Sequence, residues 1–360
     1  MKIHRTFLLL VACIAGLFAT STQLYAVQNS LPVLSGSFAS GGYRGLLSGT
    51  SPSDLVAGDL TVFVGRSELF TATLNLAGVH VPVVGNFKNS GVFSTTVGNG
   101  LGTRISVSLA FSGTASLTGT ISDPVETVYY TGNPISDVGP ASGHYRFIIN
   151  PGQAFTTGST PQGTGYGQMF VGTGGVVSIV GRLPDGTGFA TKSAITSGSA
   201  LPIYSHQGGS PNTGVEGTVV FQDNPDVSDF TGTLYWTKLP NADPSYPEGF
   251  EMATQLVGSE YNRVIGGLNG DVVTVTLSGA DLQKPITAKI TLAPNGPWDQ
   301  GDAQQVHLTL VRTQNKFFGS FADPVTHLRH PFFGVLLAKS RTGGGMFFSQ
   351  GLSGAISLQY

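Results

Sequence analysis

Residues 70–76 read Phe-Thr-Ala-Thr-Leu-Asn-Leu, and this alternation of apolar and polar side chains decides the fold. Successive residues of a β-strand point to opposite faces, so such a stretch buries one face and wets the other. The same period-two pattern recurs at residues 104–111, 286–292 and 306–310. One buried face and one wetted face are typical of antiparallel sheets.

The composition also favours an all-β chain. With 51 glycines and 20 prolines among 360 residues, helix breakers are too frequent for long helices. Residues 184–187, Pro-Asp-Gly-Thr, are typical of a tight hairpin turn between two strands. Residues 251–257 are the one segment whose pattern allows a short helix. The apolar fraction of 40% is sufficient for a buried core.

The charge balance excludes one class of partner. Charged residues make up 11% of the chain, against about 25% in an ordinary soluble protein. The formal net charge is −2, and the sequence has no basic run. A nucleic-acid partner is therefore not expected.

The first 26 residues are predicted to be a secretory signal peptide. Lys2 and Arg5 precede an apolar run over residues 7–18, and Ala26 ends a more polar stretch that is suitable for cleavage. Residues 10–13, Leu-Val-Ala-Cys, also resemble a lipobox, but the apolar run continues beyond them, which favours cleavage at Ala26. The predicted mature chain has no cysteine and is exported to the periplasm, cell surface or extracellular space.

The mature chain contains an internal repeat. Residues 42–44, 58–62, 76–78 and 117–121 match residues 144–146, 167–171, 183–186 and 230–234 in the same order and at a nearly constant offset; residues 317–321 look like a third copy of the last element. This repeat predicts duplicated antiparallel β-meanders that form two β-barrel or β-sandwich units. After a linker over residues 27–35, the units are placed at 36–140 and 141–360, with a candidate sub-boundary near residue 262.

Several short motifs carry a resemblance to a known group. Residues 41–47 read Gly-Gly-Tyr-Arg-Gly-Leu-Leu, residues 165–167 read Gly-Tyr-Gly, and residues 185–187 read Asp-Gly-Thr. With these motifs the chain resembles a group of uncharacterised secreted β-repeat proteins from Gram-negative environmental bacteria. The resemblance implies an exported β-module of the kind found in cell-surface proteins, and it implies no catalytic residue.

Two loops carry candidate metal ligands. Asp223, Asp226 and Asp229 crowd a loop before a predicted strand, and their hard oxygen atoms suit calcium, although Asp is also a common turn former. His327 and His330 lie near Asp323, but residues three apart on a strand face opposite sides, so they converge only in a turn. No cofactor is expected from the sequence, and calcium is the alternative that the three aspartates leave open.

A second loop carries a candidate ligand site. Trp298, Asp299 and Asp302 combine an indole ring with carboxylates in a Gly/Pro-rich stretch, a mixture suited to stacking on a sugar. The alternative is that Trp298 folds back on its own sheet. Glycoside hydrolysis would need two carboxyl groups about 5–5.5 Å apart in a retaining enzyme, a separation that sequence spacing does not establish.

The sequence favours an exported, non-enzymatic β-protein that serves as a cell-surface, matrix or binding module, with a glycan or other surface proteins as partners. An outer-membrane β-barrel is the first alternative, because residues 355–360 alternate and end in an aromatic residue. Against it, most apolar runs are shorter than the about 9–11 residues of a spanning strand, and Pro82, Pro285 and Pro331 interrupt predicted strands. A carbohydrate-active enzyme is the second alternative.

Overall fold

The fold was determined as a computed structural model. It describes residues 40–49, 58–98, 104–136, 140–206, 213–261, 272–292 and 306–360. Within these ranges it leaves out residues 77, 89, 114, 115, 125, 141, 153, 156–158, 241 and 242. The described residues form 23 β-strands and two single-turn 3-10 segments, Ser197–Ser199 and Arg312–Gln314. All strand pairings within the three sheets are antiparallel, which confirms the predicted all-β fold of duplicated antiparallel meanders.

The first sheet is a nearly closed barrel of eight strands. Two four-strand meanders are joined by pairing of the first strand with the last, which gives the order β4-β3-β2-β1-β8-β7-β6-β5. The two edge strands are consecutive in the chain and approach one another. The strands are β1 (Gly41–Ser48), β2 (Gly58–Val64), β3 (Leu69–Leu76), β4 (Val79–Asn86), β5 (Val92–Gly98), β6 (Arg104–Ser112), β7 (Ser116–Ser122) and β8 (Thr127–Pro134).

The second sheet repeats this topology. Its order is β12-β11-β10-β9-β16-β15-β14-β13, so β9 and β16 pair as β1 and β8 do. The strands are β9 (Gly143–Asn150), β10 (Gly165–Val171), β11 (Val176–Arg182), β12 (Gly188–Ala194), β13 (Ala200–His206), β14 (Thr213–Asn224), β15 (Ser228–Lys238) and β16 (Phe250–Glu260). Each repeated sequence element occupies the same place in both barrels: residues 117–121 lie on β7 and residues 230–234 lie on β15.

The third sheet has seven described strands, of which two lie on one side of the pairing between its first and last strands and five lie on the other. Its order is β18-β17-β23-β22-β21-β20-β19, with the first strand again paired to the last. The strands are β17 (Val272–Gly279), β18 (Ile286–Thr291), β19 (His307–Val311), β20 (Lys316–Ala322), β21 (Arg329–Leu337), β22 (Thr342–Ser349) and β23 (Leu352–Gln359). Residues 317–321 lie on β20, next to the edge strand β19, and therefore do not occupy the place that the matching elements have on β7 and β15.

The short helix predicted for residues 251–257 is wrong. This segment lies within β16, where Met252, Thr254 and Leu256 are buried and their neighbours are more exposed. The Thr254 hydroxyl donates a hydrogen bond to the Leu234 carbonyl, so a polar residue takes a core-facing position. Because the polar Thr254 stands among the core-facing residues, the period-two pattern of this strand could not be recognised in the sequence.

Each sheet encloses its own apolar core. Tyr43 of β1 and Tyr145 of β9, the tyrosines of the repeated Tyr-Arg pair, are buried in the first and second cores. The adjacent arginines point outward and reach the next sheet: Arg44 donates to the Lys192 carbonyl at 3.1 Å, and Arg146 donates to the Gln314 carbonyl at 2.9 Å. The same motif therefore buries a ring within one barrel and links that barrel to the following sheet.

The central glycine of the repeated element is required by a close approach between strands. A Cβ on Gly119 would overlap the Ser108 carbonyl oxygen of the neighbouring strand. We expect Gly119→Ala to lower the free energy of unfolding by about 1–3 kcal/mol, because a backbone atom cannot rotate away as a side chain can. Urea denaturation followed by circular dichroism measures the loss.

Gly98 provides the matched control for this substitution. It also lies on the first sheet, but nothing lies within 4 Å of the position that its Cβ would take. Gly98→Ala is expected to change the free energy of unfolding by no more than about 0.5 kcal/mol. Equal losses in the two variants would contradict the close-approach explanation.

Candidate functional site

One outer face of the first barrel is lined with hydroxyl groups. The outward positions of β6 to β8 alternate with mostly buried apolar residues, and those of β5 alternate with the partly buried Phe93, Thr95 and Val97, so most outward side chains of the four strands are polar. We call this surface the hydroxyl face, and its members are Ser94, Thr96, Ser106, Ser108, Thr118, Thr120, Ser122, Thr127, Tyr129 and Thr131.

The strand register arranges these side chains in rows across the sheet. One row runs through Ser94, Ser108, Thr120 and Tyr129, each residue directly opposite the next. Adjacent rows run through Thr96-Ser106-Ser122-Thr127 and through Val92-Ala110-Thr118-Thr131, of which the second begins with an exposed apolar side chain. Neighbouring strands lie about 4.8 Å apart, so the hydroxyls form a regular two-dimensional array.

Two hydrogen bonds fix part of this array. The Ser94 and Ser108 hydroxyl oxygens lie 3.0 Å apart, across β5 and β6. The Thr118 hydroxyl donates to the Ala110 carbonyl oxygen at 3.2 Å. These two contacts restrict the side-chain rotamers before any ligand is bound.

Two adjoining depressions lie on the hydroxyl face. The first has a volume of about 350 Å³ and is bordered by Thr118, Thr120 and the ring of Tyr129. The second, of about 280 Å³, lies toward Ser94 and Ser106. Ser108 and Thr120 line both, so the two depressions form one continuous shallow surface.

The hydroxyl face carries little charge. The one charged residue in the sequences of β5 to β8 is Arg104, at the start of β6 and beyond the hydroxyl rows. Tyr130, next to Tyr129 on β8, points into the barrel, and burial raises its pKa, so its phenol remains neutral. Ser, Thr and neutral Tyr both donate and accept hydrogen bonds, which makes the face suited to binding an uncharged polar ligand.

The second barrel carries a reduced version of this surface. Thr231 and Thr233 of β15 occupy the positions of Thr118 and Thr120, and Gln255 donates a hydrogen bond to the Thr233 hydroxyl at 2.9 Å. Thr231, however, lies between Val220 and Val257 on the neighbouring strands. The dense hydroxyl array is therefore a feature of the first barrel.

Two of the three aspartates singled out as candidate calcium ligands, Asp223 and Asp229, form an ionic contact between two sheets. Lys339, in the turn after β21, pairs with Asp223 and lies 2.6 Å from Asp229. Asp226 is exposed at a left-handed turn position with φ 57°. In the part of the chain that the structure describes, no group of three His, Cys, Asp or Glu side chains is arranged to hold a metal ion.

The other candidate residues fall into two groups. Trp298, Asp299 and Asp302 lie outside the described residues. His327 occupies a left-handed turn position, whereas Nδ1 of His330 lies 3.0 Å from the Phe348 carbonyl oxygen. The Asp323 carboxylate accepts a hydrogen bond from the Val325 amide at 2.7 Å. These contacts describe a closed hairpin turn.

Sequence reasoning missed the hydroxyl face although it had part of the signal. The alternation around residues 104–111 and the repeated Thr-Gly-Thr element both placed hydroxyls on wetted faces. The pattern does not reveal which strands are neighbours or in what register, so it cannot show that Thr120 stands opposite Tyr129. The period of each strand is local information, whereas the array depends on pairing.

Comparisons with protein-family models and with curated proteins identify no relative of this chain. Within the described residues, no helix is both long and apolar enough to cross a membrane.

Three solved structures show weak similarity over 90% of this chain. They are transferrin binding protein B of Haemophilus parasuis Hp5 (9% identity, 76% of that chain, TM-score 0.24), its isotype 1 counterpart from serogroup B Neisseria meningitidis (12%, 77%, 0.24) and an endo-1,5-alpha-L-arabinanase of Thermotoga petrophila RKU-1 (10%, 100%, 0.23). At these TM-scores the similarities carry no argument about function.

Proposed function

We propose that this chain is an exported, non-enzymatic binding module of the cell surface or its matrix, and that the hydroxyl face is its binding surface. The observation that carries the proposal is the pair of adjoining depressions, lined by hydroxyls and one exposed tyrosine ring. The depressions are shallow, and they share with ligand sites a few polar groups that converge on a preformed surface. The signal peptide predicted for residues 1–26 and the resemblance of the sequence to secreted β-repeat proteins are the reasons for proposing this location.

Binding is favoured over catalysis by the residues that line the depressions. They are Ser, Thr, Tyr, Ala, Val and Gly, so no histidine or carboxylate is among the described residues that line the depressions. The carboxylates next to the face in sequence, Asp123 and Glu126, lie in the turn between β7 and β8, where the Asp123 carboxylate accepts a hydrogen bond from the Glu126 amide at 2.7 Å. An unactivated hydroxyl is a weak nucleophile but a good hydrogen-bond partner. A carbohydrate-active enzyme would need a carboxylate pair, which this surface does not contain.

A water-exposed location is favoured by the direction of the side chains. The apolar residues of β5 to β8, such as Leu109 and Val128, point into the barrel, and the hydroxyls point out. A transmembrane barrel presents an apolar band to the lipid and polar side chains to its interior. Most side chains of β5 to β8 have the opposite arrangement, which supports a module at an aqueous surface over the outer-membrane alternative.

The test compares two matched double variants of the mature chain. Thr118→Val with Thr120→Val removes two hydroxyls from the hydroxyl face, and Thr71→Val with Thr73→Val removes two exposed hydroxyls at the same spacing on β3. Retention on cell envelopes and extracellular polymer from the producing cells is measured as a binding isotherm. We expect the first variant to bind about tenfold more weakly, because two hydrogen bonds are worth about 1–3 kcal/mol, and the control to be unchanged.

Two outcomes would contradict the proposal. Equal retention of the two double variants would show that the hydroxyl face is not the binding surface. Resistance of the mature protein to extraction from the membrane pellet by high salt and mild alkali would instead support an integral outer-membrane protein.

A further inference from the structure

We infer that the hydroxyl face binds a neutral polysaccharide, with the ring of Tyr129 stacked on one sugar and the neighbouring hydroxyl rows bonded to the next. The inference rests on the proposed function and names the ligand class of the same surface. It follows from charge, hydrogen-bonding capacity and the placement of the single exposed ring.

The charge distribution selects an uncharged ligand. Arg104 is the one charged residue in the sequences of the four strands, and Asp123 and Glu126 lie in the turn between β7 and β8, so all three stand at strand ends rather than among the rows. An acidic polymer requires a lining of Lys and Arg to offset its charge, and a cationic ligand requires carboxylates. The hydroxyl rows supply neither, so a charged ligand would lose its hydration without gaining a counter-charge.

The chemistry of the rows matches a sugar more closely than a protein. Each Ser or Thr hydroxyl donates one hydrogen bond and accepts others, as the hydroxyls of a sugar do. Protein interfaces are enriched in aromatic residues, Met and Arg and are depleted in Ser, whereas this surface has one aromatic residue among ten. A protein partner would find few apolar anchors here.

Tyr129 supplies the one exposed aromatic ring among the residues of β5 to β8. Its side chain is 47% exposed, and it lies in the same row as Thr120 and Ser108. The ring borders the larger depression, so a sugar stacked on it has hydroxyl partners on the adjacent strand. Aromatic residues with a polar edge are suited to such half-wet contacts.

The array also continues in two directions. Thr131 and Thr118 lie one row away on one side, and Thr127 and Ser122 lie one row away on the other. A ligand that repeats the same unit along its length can use successive rows, whereas a single sugar uses one. The geometry therefore favours a polymer, with affinity that rises with chain length.

The experiment is affinity electrophoresis of the purified mature chain in native gels. The gels contain a neutral polysaccharide from a fixed panel (dextran, starch, xyloglucan, a soluble β-glucan) or an acidic one (alginate, hyaluronate), with and without 0.5 M salt. Three variants are compared: Tyr129→Ala, Tyr129→Phe, and Phe170→Ala as a control for the loss of an equally exposed ring, 46% exposed, on the second barrel.

We expect retardation by at least one neutral polysaccharide that persists at high salt. Tyr129→Ala should weaken it about tenfold, while Tyr129→Phe and Phe170→Ala stay within about twofold of the original chain, because the ring face makes the contact. Circular dichroism of each variant confirms that the fold is retained. A fold lost in Tyr129→Ala moves the test to Thr118→Val with Thr120→Val, for which the same tenfold weakening is expected.

The failures are distinguishable. If no neutral polysaccharide of the panel retards the protein, the proposed ligand class is wrong. The same holds if only acidic polymers retard it and salt abolishes the effect. Either result would leave the proposed function standing as long as envelope retention depends on Thr118 and Thr120. Envelope retention that is insensitive to those threonines would overturn the proposed function itself. Equal weakening by Phe170→Ala would show that the ring of Tyr129 has no special part.

Discussion

Replacement of Lys238 by alanine is expected to lower the free energy of unfolding of the second barrel by about 3–5 kcal/mol. The Lys238 side chain is only 3% exposed at the end of β15, where its ammonium pairs with the 1% exposed Asp185 and lies 2.7 Å from Asp243. Asp185 belongs to the predicted hairpin turn, and Asp243 belongs to the loop before β16. Removal of the cation leaves buried carboxylates without a counter-charge, which is the costly way to break such a cluster.

The cluster also makes stability depend on pH in a defined direction. Burial alone would raise the pKa of Asp243, but hydrogen bonds from Lys238 and the Ser245 amide outweigh it, and the pKa is lowered from its ordinary 3.8. Burial likewise lowers the pKa of Lys238, but its ion pairs outweigh burial, so the pKa lies above its ordinary 10.5. Asp243 therefore stabilises the folded state fully above pH 3.8, and this stabilisation is lost as the pH falls through its lowered pKa. Lys238 stabilises the folded state below pH 10.5, and this stabilisation is lost only as the pH rises through its raised pKa.

Urea denaturation of the original chain and of Lys238→Ala, from pH 2 to pH 9, measures both effects. The difference in the free energy of unfolding between the original chain and Lys238→Ala should be constant near neutral pH and should become smaller in acid. Lys339→Ala is the matched control, because Lys339 also bridges two aspartates but is 20% exposed beside an 81% exposed Asp223. Its loss should be about 1 kcal/mol or less. Equal losses for the two lysines would contradict the argument from burial.

The sequence predicted the first two barrels well because their information is local. The alternation at residues 70–76 and the turn at Asp185 each decide a strand or a hairpin without reference to distant residues. The repeat added the topology, since equivalent elements fall on β7 and β15. The third sheet was harder, because the third copy of the element lies on β20, in a place with no counterpart in the barrels.

The candidate sites show where sequence reasoning ends. Asp223 and Asp229 were predicted as calcium ligands because acidic residues crowd one loop, and the loop sequence could not reveal that both pair with Lys339, which lies 110 residues beyond Asp229 in the chain. The hydroxyl face was hidden for the same reason, since rows across a sheet combine residues from four strands. Side-chain chemistry was readable at each position, but the neighbours that decide its use were not.

A second large effect is expected in the core of the second barrel. Trp236 of β15 is fully buried, and its ring meets Phe250 edge-on with centroids 4.6 Å apart. Trp236→Ala should lower the free energy of unfolding by about 3–5 kcal/mol, because it removes the largest side chain of the core and leaves a cavity. Urea denaturation followed by circular dichroism measures this loss.

Trp236→Phe separates packing from hydrogen bonding. The indole N–H of Trp236 is buried and donates to no acceptor within the described residues, so it contributes a desolvation cost and no hydrogen bond. Phenylalanine keeps an aromatic ring and removes that cost, and the loss should be about 1.5 kcal/mol or less. A loss as large as that of Trp236→Ala would show that the indole makes a hydrogen bond that stabilises the barrel.

Because the chain has two tryptophans, Trp236→Phe leaves Trp298 as the sole tryptophan fluorophore. Protection of its fluorescence from acrylamide by a polysaccharide would then show that the ligand site predicted at Trp298, Asp299 and Asp302 is occupied, in addition to the hydroxyl face.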